Sequence, residues 1–393
     1  MDTCPVCSSG DREVVLSLPA LPVLINAQVR PEGALDVVRG DMDLAVCTAC
    51  GHLYNVAFDE SLLDYDAAYE NTLHFSGHFQ KFAAGLRDRL VGDHSLGGAT
   101  VAELGSGPGH FLSMLCDAGV ARGIGYDPSY DADRLGAPEH QGVSISTDLF
   151  PADGSLQVAL AFSQHVLEHL HDPVAALAAQ RSAVTEAGGV VYSEVPNGSL
   201  MLGQCALWDL IYEHLSYFVP TSLDLACRRA GLSIDTMDTA FGDQFLWCEA
   251  EVTEPDPTAT PSADAVASAV EAARAFGVAA TARIAEARQD LARFAAAGPV
   301  ALWGAGSKGM TYLNLMTDPD TGAAASVAAV VDINPRKAGW GVPGTSLTIT
   351  EPESLTAISP TTVLIANPVY ADEISATLVG LGVEADVLPL WKD

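Results

Sequence analysis

The sequence predicts an α/β protein with two parallel-sheet domains behind a small cysteine-rich domain. Short apolar strands run into glycine-rich turns at 100–109 and again at 299–309, and strands alternate with helical segments after each turn. Two Cys-x-x-Cys pairs near the N-terminus predict a metal-binding domain. A chain of 393 residues has room for roughly two to four domains.

Composition and charge narrow the classes of partner. The chain is 49% hydrophobic and carries 19 basic against 50 acidic residues, a net charge of −31. Such a field repels nucleic acids and anionic membranes, so we expect neither as a partner, and the charge by itself identifies no substrate. The acidity itself is interpreted as an adaptation for solubility or high salt. We see no apolar run long enough to cross a bilayer and no secretion signal, so we expect a cytoplasmic protein.

Four cysteines predict a structural zinc site. The pairs Cys4/Cys7 and Cys47/Cys50 are separated by 39 residues, and each pair can turn two thiolates toward one ion. A reducing cytosol disfavours disulfides, and a thioredoxin-like site needs one such pair rather than two. His52 is the one alternative ligand nearby. The remaining cysteines are expected to be small buried hydrophobes: Cys116, Cys205, Cys227 and Cys248.

The first glycine-rich turn predicts a nucleotide-type ligand site. Its pattern, E-x-G-x-G-x-G from Glu103 to Gly109, differs from the G-x-G-x-x-G of dinucleotide folds, and Pro108 removes an N–H that a pyrophosphate would use. The next strand ends at Asp127, where an acidic side chain can bind ribose hydroxyls. Another α/β nucleotide fold remains the alternative at this stage.

Four ordered segments make the pattern more specific. ELGSGPGHF, GIGYDPS, SQHVLEHL and GGVVYSEVPN resemble the successive signature strands of class I S-adenosylmethionine methyltransferases. The resemblance implies that the turn approaches the methionine part of the cofactor, that Asp127 binds its ribose and that Asp148 lies by its adenine. The full implied cofactor set is Glu103, Gly105, Ser106, Gly107, Gly109, Asp127, Asp148, Ser163 and His165.

Two histidine clusters are candidates for chemistry. His165-Val-Leu-Glu168-His169 follows the fourth strand of the domain, at the sheet edge where ligands concentrate, and Tyr212-Glu213-His214 comes later. Each histidine can also be an ordinary core or surface residue. The H-x-x-E-H string is similar to an inverted zinc-protease motif, but that motif needs a helix, whereas here the pattern leaves a strand.

The second cluster extends the resemblance over nearly the whole chain. IYEHLSYFVPTSLDLACRRAGL, together with the paired cysteines and a second glycine turn, resembles the three-domain C-methyltransferases of nucleotide-linked deoxysugars, the antibiotic sugar C-3 type. The implied architecture is a zinc-binding domain (1–70), a Rossmann-like methyltransferase domain (71–252), a linker with a connecting helix (253–297) and a second Rossmann-like domain (298–393).

The same resemblance implies roles for the chemistry-bearing residues. His214 is the base that removes a proton next to a ketone, Glu213 orients it or holds a substrate hydroxyl, and His169 donates to the enolate oxygen. Tyr69 is the candidate for a tyrosine that the family uses near the domain junction. Tyr212 is a candidate substrate contact.

The C-terminal turn predicts a second ligand site. Gly306, Ser307 and Lys308 could place backbone N–H groups and one lysine on a phosphate, with Asn367 nearby in the family order. The alternative is a vestigial fold that only buttresses the first. The segments 71–76 and 367–370 depart from the family pattern where a nucleotide-sugar would bind.

Three functions remain open from sequence. The first is C-methylation of a dTDP-linked keto-deoxysugar, and the second is O-, N- or C-methylation of another natural-product intermediate. The third is a non-catalytic, zinc-containing binding module. The sequence suggests a monomer or homodimer, since it shows no heptad pattern for a coiled coil.

Overall fold

Three β-sheets organise the chain in the computed structural model, which describes residues 1–63, 73–184, 188–317 and 326–391. The strands are β1 (Arg12–Pro22), β2 (Arg39–Cys47), β3 (Leu53–Asn55), β4 (Thr100–Leu104), β5 (Arg122–Tyr126), β6 (Val143–Ser146), β7 (Leu160–Gln164), β8 (Val190–Pro196), β9 (Ser216–Tyr217), β10 (Leu232–Ala240), β11 (Phe245–Val252), β12 (Val300–Trp303), β13 (Ala329–Val331), β14 (Ile349–Thr350), β15 (Thr362–Ile365) and β16 (Asp386–Pro389). The α-helices are α1 (Gly77–Asp93), α2 (His110–Asp117), α3 (Ala132–Leu135), α4 (Pro173–Ala183), α5 (Gly198–Gln204), α6 (Pro220–Ala230), α7 (Ala263–Ala297), α8 (Ser307–Met316), α9 (Leu355–Ile358) and α10 (Ala371–Leu381).

The central sheet has the order β10-β11-β8-β7-β4-β5-β6, and β4 to β8 run parallel. β11 runs antiparallel to β8, so the hairpin β10–β11 closes one edge. Because the chain reverses its direction of winding between β4 and β7, the carboxyl ends of these two strands open a crevice. The predicted cofactor turn and the first histidine cluster follow these two ends directly.

Local signals place the helices of this domain. Ser76 caps α1 by accepting from the N–H groups of His78 and Phe79. Asp172 caps α4, which has Pro173 at its first position. α2 follows Gly109, whose φ of 75° lies in the left-handed region that glycine adopts without strain.

The N-terminal sheet differs from the domain bounds expected from sequence. Its order is β1-β2-β3-β9, so its fourth strand comes from the middle of the methyltransferase region. Leu53 lies opposite Tyr217 and Tyr54 opposite Ser216. The N–H of Asn55 also donates to the carbonyl of Leu215 at 2.9 Å. The segment that carries Glu213 and His214 is therefore held by the cysteine-rich domain.

The C-terminal sheet is wholly parallel, with the order β14-β13-β12-β15-β16, which agrees with a second Rossmann-like unit. The long helix α7 leads into it and packs on β1, where Gly277 lies so close to Val15 that a Cβ would strike the Val15 carbonyl. One buried cluster joins β2, α7 and β12 through Leu44, Phe276 and Leu302. The connecting helix is thus part of a shared core.

Helix α7 is also the one candidate membrane span among the described residues. The helix qualifies as a candidate only by its length and its mean hydropathy. Its buried residues, Phe276 and Ala280 among them, lie in the core shared with the cysteine-rich and C-terminal sheets.

Candidate active site

The four predicted metal ligands come together in the N-terminal domain. The sulfur atoms of Cys4 and Cys50 are 3.7 Å apart and those of Cys7 and Cys47 are 3.5 Å apart, and all four lie within 4.8 Å of one another. A tetrahedral zinc with bonds of about 2.3 Å separates its sulfur ligands by about 3.8 Å. The donor set therefore fits zinc.

His52 and the other four cysteines do not belong to the four-cysteine cluster. His52 is fully buried, and its Nε2 is hydrogen-bonded to the hydroxyl of Ser216 at 3.1 Å. This contact joins the cysteine-rich domain to β9. The other four cysteines are buried hydrophobes, as expected from the sequence: Cys116, Cys205, Cys227 and Cys248.

The turn after β4 forms a backbone cradle. Gly105, Gly107 and Gly109 have φ values of 73°, 51° and 75°, a conformation that side-chain-bearing residues rarely adopt. A Cβ on Gly105 would collide with a methyl group of Val166, which follows β7. Only glycine therefore lets the two strand ends approach this closely.

Two carboxylates flank the cradle. Asp127, at the end of β5, accepts from the N–H of Gly107 at 2.7 Å and from the N–H and hydroxyl of Ser129. Glu103 is buried at the end of β4, and burial, together with the nearby charge of Asp127, raises its pKa well above the usual value. Ser106 lies inside the turn against Gly125. Asp127 thus ties the turn to the neighbouring strand.

The remaining predicted cofactor residues follow β6 and β7. Asp148 is exposed after β6 and accepts from the hydroxyl of Ser146 at 2.9 Å. Ser163 is fully buried within β7. His165 follows β7 with a φ of 55°, and its N–H donates to the carbonyl of Glu194 at 2.8 Å. A histidine in this region is uncommon and marks a constrained turn.

His165 lies between two buried carboxylates. Its Nδ1 is 3.6 Å from Glu168 and its Nε2 is 3.4 Å from Glu194. Burial lowers the pKa of His165, but these two carboxylates outweigh burial and raise it to about 10. The imidazole is therefore charged at neutral pH.

The H-x-x-E-H string does not form the helix of a zinc-protease motif. It leaves β7 and passes through a single 3-10 turn at Leu167–His169. That turn brings His169 against the second cluster: its Nδ1 lies 2.9 Å from the carbonyl oxygen of Glu213, and its ring centroid is 4.9 Å from that of His214. The two predicted clusters are therefore one site.

Buried surroundings set the protonation of His214. Burial and the neighbouring His169 lower its pKa to about 3, against opposing contributions from Glu168 and from a hydrogen bond with the Asp209 backbone. The ring is neutral near pH 7, as a base must be before it accepts a proton.

The residues around His214 are fixed by the N-terminal domain. Oε2 of Glu213 accepts from the N–H of Ile25 at 3.2 Å. The hydroxyl of Tyr212 accepts from the N–H of Asp59 at 2.8 Å. Tyr69 lies within 64–72, outside the described residues.

The second glycine turn also faces the N-terminal domain. The side-chain N–H of Asn26 donates to the hydroxyl of Ser307 at 2.8 Å, and Gly306 precedes α8. Lys308 donates to Asp209 at 3.2 Å and lies over the ring of Trp208, so its charge is compensated by the methyltransferase region. No sequence motif indicates this pairing.

A different lysine lies by the turn itself. Lys337 is buried, and its ammonium donates to the carbonyl of Ala305 at 2.8 Å. The same ammonium lies 4.0 Å from the point that a Cβ would occupy if Gly306 carried a side chain. Lys337 was not predicted from the sequence, because it comes 31 residues after the turn and belongs to no motif. Asn367 exchanges hydrogen bonds with Gln244 at 2.9 and 3.0 Å, which joins the C-terminal domain to the β10–β11 turn.

Two family models match the chain. Residues 75–236 match a methyltransferase domain, and residues 260–382 match a C-methyltransferase C-terminal domain. A comparison with curated proteins found no match.

Solved structures similar to the central part of the chain are methyltransferases. Magnesium protoporphyrin IX methyltransferase (ChlM) from Synechocystis, solved with bound SAH, is 19% identical, with 45% of this chain and 84% of that chain covered and a TM-score of 0.35. The CcbJ methyltransferase from Streptomyces caelestis is also 19% identical, with 45% and 97% covered and a TM-score of 0.36. An S-adenosylmethionine-dependent methyltransferase from Clostridium acetobutylicum is 11% identical, with 45% and 92% covered and a TM-score of 0.36.

The matched ranges include the parallel strands β4 to β8 of the central sheet and β12 to β15 of the C-terminal sheet. The methyltransferase model covers the cofactor turn, both histidine clusters and β4 to β9, and the C-methyltransferase model covers α7 and the second glycine turn. The class I Rossmann-like fold predicted from sequence is confirmed. The chain is therefore a methyltransferase, in which the region of the class I Rossmann-like fold matches a methyltransferase domain and the C-terminal region matches a C-methyltransferase C-terminal domain.

Proposed function

We propose that this methyltransferase acts on the carbon next to a keto group of a nucleotide-linked deoxysugar, through an enolate. The observation that carries the proposal is the meeting of His169, Glu213 and His214 in one half-buried site, on the turn whose Val166 contacts the glycine cradle. A carbon acceptor needs a base and an oxyanion donor together, whereas an oxygen or nitrogen acceptor needs less.

The chemistry proceeds in two steps. A ring nitrogen of His214 takes the proton from the carbon next to the ketone, and the C–H electron pair becomes the enolate. His169 donates to the enolate oxygen. S-adenosylmethionine, held by the glycine turn, would supply the electrophilic methyl group for the enolate carbon, with its sulfide as the leaving group.

The other residues bind and orient. Glu213 is anchored at one oxygen by the Ile25 N–H, which suits a side chain that orients a substrate hydroxyl or the base. Tyr69 and Tyr212 are proposed substrate-side contacts.

The cofactor contacts follow from the cradle. We propose that the turn residues Gly105, Ser106, Gly107 and Gly109 face the methionine part, with Glu103 below them. Asp127 would exchange its bond with the Gly107 N–H for the ribose hydroxyls, and Asp148, Ser163 and His165 would complete the pocket. The support is the conformation of the glycines and the position of Asp127 at the end of β5.

The remaining two sites are proposed from their donors. Zinc held by Cys4, Cys7, Cys47 and Cys50 would be structural, since four thiolates complete its shell. The turn at Gly306 and Ser307 is the proposed phosphate side of the substrate, together with Asn367. Lys308 would reach a phosphate only by leaving Asp209.

The alternative acceptor is another small natural-product intermediate, methylated on O, N or C by the same scaffold. The lesser alternative is a non-catalytic zinc-containing module. A half-buried histidine pair near a glycine turn with three left-handed glycines favours an enzyme over such a module.

Deuterium exchange tests the proposal. The chain is incubated with dTDP-linked 4-keto-6-deoxysugars in D₂O without S-adenosylmethionine, and mass spectrometry follows exchange next to the ketone. We expect exchange that His214→Ala abolishes and a methylated product once the cofactor is added. Methylation that persists in His214→Ala would refute the assignment of His214 as the base. If calorimetry shows no binding of S-adenosylhomocysteine, the proposed methyltransferase activity is refuted.

A further inference from the structure

Glu168 is a buried carboxylate to which the proposed chemistry assigns no role. Its side chain is 1% exposed, and neither carboxylate oxygen has a hydrogen-bond partner among the described residues. Burying a charge costs several kcal/mol unless other charges or hydrogen bonds compensate it. The compensation must therefore come from the cations or imidazoles that surround it.

Three histidines provide that surrounding. Nδ1 of His165 lies 3.6 Å from Oε1 of Glu168. A carboxylate oxygen of Glu168, a ring nitrogen of His169 and a ring nitrogen of His214 all lie within 4.8 Å of one another. Glu168 is thus the one carboxylate placed at charge-interaction distance from both rings of the proposed catalytic pair, among the residues that the structure describes.

We propose that Glu168 is a positioning residue for the proton transfer, the shared counter-ion that stabilises the protonated rings of His169 and His214. This inference rests on the proposed function, because it assigns both histidines to the enolate chemistry.

The hydrogen bond of His169 shows why a counter-ion is needed. A carbonyl oxygen only accepts, so Nδ1 of His169 carries a proton when it bonds the Glu213 carbonyl. A neutral ring then has only a lone pair at Nε2. To donate to an enolate oxygen, His169 must carry a second proton, and the resulting positive charge lies beside Glu168.

His214 needs the same charge at a later moment. The ring of His214 becomes a cation when it takes the substrate proton. The neighbouring ring of His169 disfavours this second positive charge. The carboxylate of Glu168 counters this repulsion. The proton ends on His214, and Glu168 accepts none, much as a buried aspartate stabilises an imidazolium in hydrolase triads.

The other charges around Glu168 are accounted for. Burial raises the pKa of Glu168, but His165, His169 and His214 together hold it below its usual value, so it is ionised at neutral pH. Glu194, on β8, faces His165 from the other side and accepts from the hydroxyl of Tyr192 at 2.8 Å. Asp209 meets His214 through its backbone.

Glu194 supplies a matched control. It is also 1% exposed and also pairs with His165, but it lies outside the cluster that Glu168 forms with His169 and His214. Glu168→Gln and Glu194→Gln each remove one buried charge from the same histidine, and only the first removes it from the proposed catalytic pair.

The test measures deuterium exchange into the same dTDP-linked 4-keto-6-deoxysugars. We expect Glu168→Gln to lower the maximal exchange rate at least about tenfold, the effect of one pKa unit on a base, with KM nearly unchanged. Glu194→Gln should lower the rate less. Glu168→Asp, which keeps the charge, should recover part of the loss even if Glu168→Gln folds poorly.

The outcomes separate two failures. A Glu168→Gln rate equal to that of wild type or of Glu194→Gln, while His214→Ala is inactive, would overturn the role of Glu168 alone. Exchange that survives in His214→Ala would overturn the proposed function instead. A Glu168→Asp variant as slow as Glu168→Gln, with unchanged thermal stability, would also count against a counter-ion.

Discussion

Nδ1 of His169 lies 2.9 Å from the main-chain carbonyl oxygen of Glu213, although 44 residues separate them in the chain. The bond ties the turn after β7 to the segment that carries His214. It also fixes which nitrogen of His169 holds a proton and leaves Nε2 to face the other ring or a substrate. One hydrogen bond therefore sets both the position and the tautomer of the proposed donor.

Replacement of His169 should separate these two effects. Asparagine can place its amide where Nδ1 lies and keep the bond to Glu213, whereas glutamine can place its amide near Nε2. We expect His169→Asn to keep the wild-type thermal stability and to lose exchange activity by about 10²-fold, the usual cost of an oxyanion donor. His169→Gln should retain more activity and less stability. The reverse ranking would show that the bond to Glu213, not Nε2, limits the rate.

The pH profile should lack the acid limb of an ordinary histidine base. Burial, with the charge of His169, lowers the pKa of His214 to about 3, so the free base is already neutral at mildly acidic pH. We expect the exchange rate to fall by no more than about twofold as the pH is lowered from about 7 to about 5. A tenfold fall centred near the ordinary histidine value, in a chain that remains folded by circular dichroism, would contradict this prediction.

Gly105→Ala should remove cofactor binding. The added Cβ would both strain a φ of 73° and strike Val166, at a cost of about 1–3 kcal/mol for the backbone conformation alone. We expect calorimetry with S-adenosylhomocysteine to show an affinity at least about tenfold weaker. Gly119→Ala is the control, because Gly119 also has a positive φ, of 106°, but open space around its Cβ position. An equal loss in both variants would point to general destabilisation.

Zinc removal should reach the active site through β9. Cys7→Ser should lower the zinc content measured by inductively coupled plasma mass spectrometry. It should also destabilise the N-terminal domain, because a bound structural zinc contributes on the order of 10 kcal/mol to the free energy of folding. Since β3 pairs with β9, we expect loss of exchange activity while S-adenosylhomocysteine still binds the central sheet. Cys116→Ser, at a buried cysteine outside the cluster, should keep both the zinc and the exchange. Full exchange activity in a zinc-free Cys7→Ser chain would refute this coupling.

The sequence predicted most of the fold because its signals are local. Each glycine turn, cysteine pair and strand signature lies within a dozen residues, and α7, Ala263–Ala297, lies within the segment 253–297 in which the connecting helix was expected. The site was predicted in two halves, His165–His169 and Tyr212–His214. The sequence did not predict that the two halves are in contact. That contact depends on the relative positions of β7 and β9, which belong to different sheets.

Lys308 shows the opposite case. Its place at a glycine turn suggested a phosphate, but its partner Asp209 lies 99 residues earlier in the chain, in a segment that carries no matching motif. Ion pairs between elements depend on docking, and docking follows from the summed shape of buried surfaces rather than from any short pattern.

The sequence by itself determined the class of protein, the cofactor turn, the four thiols and the identity of the two histidine clusters, because residue type and spacing fix local conformation and donor chemistry. Only the tertiary structure decided that β9 completes the cysteine-rich sheet, that Glu168 is buried between three histidines and that Lys308 pairs with Asp209. These relations join residues far apart in sequence. They exist only because burial of apolar surface brings separate elements to fixed positions, where electrostatic interactions in a low-dielectric interior become strong.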